Sequence, residues 1–262
     1  MRAAPREWDA AEYHRLGNPQ YEWALRVLER LPLRGDETVL DAGCGSGRVT
    51  EKLLERLPRG GVIAVDASHN MLEAAREYLA PRFGDRVRFV QADLVTLDLE
   101  QVAEVVFSTA TLHWVLDHDR LFPRLFAALR PGGRLLAQCG GGDNVKRIRD
   151  RAPAILSHPP YAEHFARWCE AWFFARPEET AERLRRAGFV DVVTGLESVT
   201  PVLPDAPTYR AFLEKVVVFS YLEVLPDALQ SSFLDAMVDA GAHDAPPWSL
   251  DYVRLNLSGK RP

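Results

Sequence analysis

The feature that most constrains this chain is an alternation between residues 38 and 138. Short apolar runs of strand length are separated there by stretches whose apolar residues recur at helical spacing. A helical pattern from Tyr21 to Leu31 ends at Pro32 and Gly35, just before the run Thr38 to Leu40. A helix is expected from about Arg48 to Leu57, stopped by Pro58 and Gly60-Gly61, with a buried strand over Val62 to Val65. Ser68 is placed to cap a helix running to Leu79, after which Val87 to Gln91 and Val102 to Ser108 read as strands. Leu121 to Leu129 reads as a helix, Arg130-Pro131-Gly132-Gly133 as a turn, and Arg134 to Gln138 as a fifth strand. Strands separated by helices pair in parallel, so the expected class is α/β with a doubly wound sheet.

Past Gly140 the alternation stops. A stretch carrying His158, Tyr161, His164, Phe165, Trp168, Trp172 and Phe173 precedes the helix Pro177 to Ala187, and reads as a lid. Gly188 suits the position after that helix, Phe189 to Val193 reads as a sixth strand and Leu250 to Ser258 as a seventh. Two amphipathic patterns lie within Pro204 to Gly241. A single domain over residues 1–262 is expected, with cap elements at about 140–176 and 204–241.

A formal net charge of −5 gives no global attraction for phosphate backbones, which points to a small-molecule partner rather than a nucleic acid. Cys44, Cys139 and Cys169 are odd in number and widely spaced, so neither a disulfide framework nor a CxxC metal site is expected. No run reaches membrane-spanning length and the N-terminus has no apolar core of a signal peptide. A cytoplasmic protein with no membrane partner is expected, and the sequence leaves its oligomeric state open.

The chemistry is concentrated in Val39-Leu40-Asp41-Ala42-Gly43-Cys44-Gly45-Ser46-Gly47, a strand running into a glycine turn and then a helix. The backbone must turn tightly there and approach a ligand without a Cβ in the way. The spacing is GxGxG, and Arg48 stands near where a dinucleotide fingerprint wants its third glycine. Asp41 at the throat would repel a pyrophosphate, whereas it suits a ligand bearing an ammonium and a sulfonium. Asp66 follows about 20 residues later, the distance at which an acidic residue takes ribose hydroxyls.

With Gln91-Ala92-Asp93-Leu94 and Leu129-Arg130-Pro131-Gly132-Gly133 in the same order, the chain resembles the class I S-adenosylmethionine-dependent methyltransferases from about Trp8 to Gln138. The resemblance implies a Rossmann-like, doubly wound, seven-stranded sheet with its last strand antiparallel and an inserted helical cap. It implies S-adenosylmethionine as cofactor and S-adenosylhomocysteine as product. Asp41, Gly43, Gly45 and Gly47 would line the methionine end, Asp66 with Ala67 the ribose, and Met71, Ala92, Asp93 and Leu94 the adenine. Ser108 would sit at the cofactor's edge and Tyr13 would fold over it. Plain core or turn roles for Met71, Gly132 and Gly133 remain the alternative, and Cys44 reads as a buried filler.

On the acceptor side the sequence runs Ser108-Thr109-Ala110-Thr111-Leu112-His113-Trp114, without the Asn-Pro-Pro-Tyr motif of base methylation. Leu112-His113-Trp114 resembles the trans-aconitate and malonyl-carrier-protein methyltransferase branches, as the Gln138 to Asn144 segment and Arg254-Leu255-Asn256 resemble the first. That resemblance implies O-methylation of a small acid or hydroxyl compound. His113 is the catalytic candidate: a general base for a hydroxyl, a donor orienting a carboxylate, or a residue that only packs. Trp114, Trp168 and Trp172 are candidates for the acceptor wall or for simple core. Arg147, Arg149 and Arg151 could clamp an anion or form a solvated helix face. The rival readings are a nicotinamide-dependent dehydrogenase, disfavoured by the missing third glycine and by Asp41, and a non-catalytic cofactor-binding module, disfavoured by the carboxylate set Asp41, Asp66 and Asp93.

Overall fold

The computed structural model describes Glu7 and residues 18–166 and 168–262. Its elements in chain order are α1 (Asn18–Glu29), β1 (Thr38–Ala42), α2 (Arg48–Glu55), β2 (Gly61–Asp66), α3 (His69–Phe83) and β3 (Val87–Gln91). There follow β4 (Ala103–Thr109), α4 (His118–Ala128), β5 (Leu129–Gly140), α5 (Lys146–Leu156), α6 (Pro177–Arg186) and β6 (Val190–Val199). The chain closes with α7 (Ala206–Phe212), α8 (Phe219–Leu222), α9 (Asp227–Gly241) and β7 (Tyr252–Lys260). The strands form one seven-stranded sheet in the order β3-β2-β1-β4-β5-β7-β6. The first five are parallel, and β7 runs antiparallel to both β5 and β6.

The continuous apolar runs are explained by burial on both faces. Along β2, Val62 and Ala64 enter one cluster with Leu28 of α1, Leu53 of α2 and Leu79 of α3, while Ile63 and Val65 enter another with Leu121 and Leu125 of α4 and Leu184 of α6. A strand sandwiched in this way reads as unbroken rather than alternating hydrophobicity. Leu28, Leu40 and Leu53 are fully buried, and truncating any of them to alanine would cost about 2–5 kcal/mol.

Local signals set the helix ends. The Ser68 hydroxyl accepts from the Met71 amide and starts α3. At the end of α6, the Gly188 and Phe189 amides donate to the Arg185 and Leu184 carbonyls, a double closure that the positive φ of Gly188 permits. Two expectations are corrected. Arg130–Gly133 is not a free turn but an irregularity inside β5, where the partner of Ala103 is Leu129 and that of Val105 is already Arg134. The sixth strand is longer than its apolar signal, because Thr194 to Val199 pair with β7 through backbone at a sheet edge and need no apolar side chains.

A third cluster lies mostly among the helices that follow β5 and includes Tyr252 of β7. Ile148 and Leu156 of α5, Tyr209 and Phe212 of α7, and Phe233 and Met237 of α9 pack with Tyr161, Trp172 and Tyr221. The stretch expected as a lid therefore contains a regular helix, α5, and its aromatics are mostly committed to this core. Among the described residues no helix is long and apolar enough to cross a membrane.

Candidate functional site

Because β1 to β5 are parallel, their C-terminal ends share one edge of the sheet. The strand order also reverses between β1 and β4, the point where open α/β sheets leave a crevice. A cavity of about 1090 Å³ lies there, walled by the loops after β1 to β5 on one side and by Trp172, Val217 and Phe219 from the helical layer on the other.

One half of the cavity is built on the glycine loop. The Gly43 and Cys44 amides donate to the Val65 carbonyl at 2.8 and 2.9 Å, pinning the loop to the end of β2. The Gly45 amide donates to Asp66 Oδ2 at 2.9 Å, and Asp66 Oδ1 accepts from the Ser68 amide at 2.9 Å. Asp66, held in this clasp, itself borders the cavity. Gly45 has φ +52° and a Cβ built on it would meet nothing within 4 Å, so the loop presents bare backbone to open space. Asp93 and Leu94 after β3, with Ala67 and Met71 after β2, complete this wall. Glu7 lies against it, its carboxylate accepting from the Ser68 hydroxyl at 2.8 Å and from the His69 and Asn70 amides at the start of α3.

Asp41, at the end of β1, is 2% exposed and borders the cavity. Its Oδ2 accepts from the Thr50 hydroxyl of α2 at 2.6 Å. Desolvation pushes its carboxyl up to about 7, with Asp66 adding to the effect and the Thr50 bond opposing it. Desolvation also raises Asp66. A cation brought to this end would restore both to the charged form. The residues thus fit a ligand with a cationic end and a diol. The neighbouring Cys44 thiol is pushed well up by burial and by both carboxylates, so it is not a nucleophile.

The other half lies beyond β4 and β5. His113, in the short turn Leu112–Trp114, is 8% exposed and borders the cavity. The Gly140 amide donates to its Nδ1 at 3.3 Å, so Nδ1 is the acceptor and the ring proton sits on Nε2. Burial first, then Arg254 and His118, lowers the imidazole well below its usual range, which keeps the ring neutral. Around it stand Trp114, Phe174, Trp172 and Phe219, with Trp114 5.8 Å from Trp172 and 5.4 Å from Phe219 between ring centroids. Asn144 and Arg254, each 3% exposed, complete the wall.

Several expected site residues sit elsewhere. Gly47 does not border the cavity: at φ +85°, a Cβ there would fall 2.8 Å from Leu79 Cδ1, so it serves the packing of α2 on α3. The Ser108 hydroxyl is spent inside the sheet on the Ala42 carbonyl at 2.6 Å. Ala92 ties β3 to β2 through the Asp66 carbonyl at 3.0 Å and packs into the core. Trp168 stacks on Tyr221 at 4.6 Å and bonds the Ser220 carbonyl, within the helical layer. Arg147 and Arg151 pair with Asp244, and Arg149 with Glu170, so they neither clamp a cavity ligand nor form a bare solvated face. Tyr13 lies outside the described residues, as do Trp8 and His14.

Sequence reasoning passed over Thr50, Glu7 and Asn144, and gave Arg254 no role. The i, i+9 spacing of Asp41 and Thr50 could have signalled a strand-to-helix bond. Nothing in the sequence places Arg254 beside His113. Among the described residues no group of three or more His, Cys, Asp or Glu is placed to hold a metal ion.

Comparison with known proteins adds to this geometry. The methyltransferase domain family matches residues 39–133. A trans-aconitate 2-methyltransferase of Variovorax paradoxus is 31% identical over 264 residues, covering 95% of this chain and 94% of its own length. Another, from Delftia acidovorans, is 31% identical and covers 87% of each chain. Among solved structures, phosphoethanolamine N-methyltransferase 2 of Haemonchus contortus in complex with S-adenosyl-L-methionine superposes with a TM-score of 0.63 at 19% identity, over 97% of this chain and 56% of that one. An S-adenosylmethionine-dependent methyltransferase of Mesorhizobium loti gives 0.55 at 21% identity, over 93% and 99%.

Proposed function

The chain belongs to the class I S-adenosylmethionine-dependent methyltransferases, in company with the trans-aconitate 2-methyltransferases, and from that premise we propose that it methylates a carboxylate oxygen of a small acid. The observation that carries this is the Gly140 amide on His113 Nδ1. With Nδ1 occupied and the ring neutral, what His113 offers the cavity is an N–H donor at Nε2, and a donor cannot take the proton of a hydroxyl acceptor. A carboxylate is ionised at neutral pH and has no proton to lose.

The donor S-adenosylmethionine supplies a methyl group on a sulfonium, a leaving group good enough that no acid is needed at sulfur. Asp41 would face its ammonium, Asp66 its ribose hydroxyls, and Asp93 with Leu94 and Met71 its adenine. One carboxylate oxygen would form the new bond to the methyl carbon as the carbon–sulfur bond broke towards sulfur, giving a methyl ester and S-adenosylhomocysteine. No proton moves in this balance. The protein's work is to align the acceptor and keep water out, tasks suited to the Trp114, Trp172 and Phe219 wall. The net charge of −5 supports a small acceptor over a nucleic acid. The test is transfer of a radiolabelled methyl group to carboxylic acids, alcohols and amines offered in parallel. Label released by mild alkali marks an ester and supports the reading, and alkali-stable label overturns it.

A further inference from the structure

We propose, resting on the reading of His113 as a donor at Nε2, that His118 is a positioning residue for the acceptor half. It fixes His113 and the segment carrying Trp172 and Phe174, and does so from behind the cavity wall. His118 opens α4, capped by Asp117, whose carboxylate accepts from the Arg120 amide at 3.0 Å. The same helix is anchored in the core by Leu121, Phe122 and Leu125, so the imidazole is carried on a rigid element. It is 3% exposed and is not among the residues bordering the cavity.

From there the ring reaches both segments of the acceptor wall. Its Nε2 lies 2.9 Å from the Leu112 carbonyl, which can only accept, so Nε2 carries the proton. Leu112 opens the short turn that holds His113 and Trp114. The carbonyl also accepts from the Val115 amide at 3.1 Å, a bond internal to the turn, whereas the His118 bond joins the turn to α4. The ring also meets Phe173 edge-on, 4.8 Å between centroids. The Phe173 amide donates to the His113 carbonyl at 2.9 Å, and its neighbours Trp172 and Phe174 border the cavity. Phe174 stacks on the His113 ring at 5.7 Å. Packing alone does not account for an imidazole in this place. Its Nδ1 is buried with no hydrogen-bond partner among the described residues, and burial holds the ring below its usual range, so Nδ1 is an unpaired acceptor. An apolar side chain would fill the space without that cost, and what histidine adds to one is the Nε2–H on Leu112. Site geometry has to hold within about 0.5 Å, which requires supports that are themselves fixed.

The test reads both rings directly, by nitrogen NMR of ring-labelled histidine in the full chain at neutral pH, with S-adenosylhomocysteine affinity by calorimetry as the control. In the wild type each ring should be neutral with its proton on Nε2. His118→Leu keeps the bulk and loses the donor. It should free His113 from the Gly140 amide, so that the two His113 nitrogens shift towards the average of both tautomers while S-adenosylhomocysteine affinity stays unchanged. His118→Gln, whose amide N–H reaches the place of Nε2, should restore the wild-type His113 signals. A merely structural His118 would lower the melting temperature of both variants and leave the His113 tautomer as it is. Should His118→Leu not fold, His118→Asn takes its place, because its shorter amide falls where Nδ1 was and leaves Leu112 without the bond. A wild-type His118 that is charged, or protonated on Nδ1, overturns the inference. So does a folded His118→Leu or His118→Asn protein with wild-type His113 signals, or a His118→Gln protein that restores nothing. If His113 itself carries its proton on Nδ1 in the wild type, the donor reading under the proposed function fails instead, whatever His118 does.

Discussion

The Thr50 hydroxyl donates to Asp41 Oδ2 at 2.6 Å, joining the first turn of α2 to the end of β1 beneath the glycine loop. The carboxyl it holds is buried and pushed up to about 7, so burial brings its titration into the neutral range. An ammonium arriving there would pair with the ionised form and displace the group's proton.

Affinity for S-adenosylhomocysteine should therefore fall as pH drops below about 7, by up to about tenfold per pH unit. Calorimetry across this range, in buffers of different ionisation heat, should also show proton release on binding. The stability sign is opposite. A carboxyl raised above its ordinary 3.8 contributes stability that is full below that value and lost as pH rises towards about 7. The stability of Asp41→Asn relative to wild type should accordingly improve over that interval. A flat affinity profile and a constant stability gap would remove Asp41 from the charge balance.

His113→Ala should act on the acceptor and not on the cofactor. Loss of an orienting donor made in ground and transition states alike raises KM with kcat little changed, while His113→Asn, which keeps an N–H, should recover part of it. Because burial holds the imidazole well below 6.5, no limb near that pH should appear in the wild-type rate profile. A kcat drop of about 100-fold or more, with loss of an acid limb, would instead identify a general base.

Asp66→Ala removes two roles at once, the expected ribose contact and the acceptor for the Gly45 and Ser68 amides. Charge-assisted bonds of this kind are worth about 1.5–3 kcal/mol each, so S-adenosylhomocysteine affinity should fall by about 10- to 100-fold or more. Asp66→Asn, which can still accept one amide bond, should fall less. Equal affinity for wild type and both variants would place Asp66 outside the site.

Gly45 and Gly47 should separate ligand binding from folding. Gly45→Val places a β-branched side chain at positive φ and into the open space of the cavity, so cofactor affinity should be lost in a protein that still folds. Gly47→Ala drives a methyl to 2.8 Å from Leu79 at an unfavourable φ, and should cost about 1–3 kcal/mol in denaturant unfolding with a smaller effect on affinity. The reverse pattern would mean that the two glycines had been assigned to the wrong tasks.

The parallel core was legible in the sequence because its signals are local. Val62 to Val65 need only be apolar on both faces, Ser68 need only precede a helix, and the glycine loop, Asp66 and Asp93 each close a strand whose end is marked by the next turn. Gly47, Ser108 and Ala92 belong to the same motifs, yet motif membership cannot show which way a residue faces. Their hydrogen bonds and packing neighbours turned out to be interior ones.

What the sequence by itself determined is the order of strands and helices, the end of the sheet that holds the crevice, and the carboxylates placed there. These follow from hydrophobic period and turn chemistry within a few residues of each position. The acceptor half was decided only by the tertiary structure. His113, Asn144 and Arg254 meet at Gly140 because β7 folds back antiparallel beside β5, a pairing that joins residues more than a hundred positions apart through backbone bonds insensitive to side-chain type. The tautomer of His113, and with it the choice between base and donor, likewise depends on a single amide from another strand.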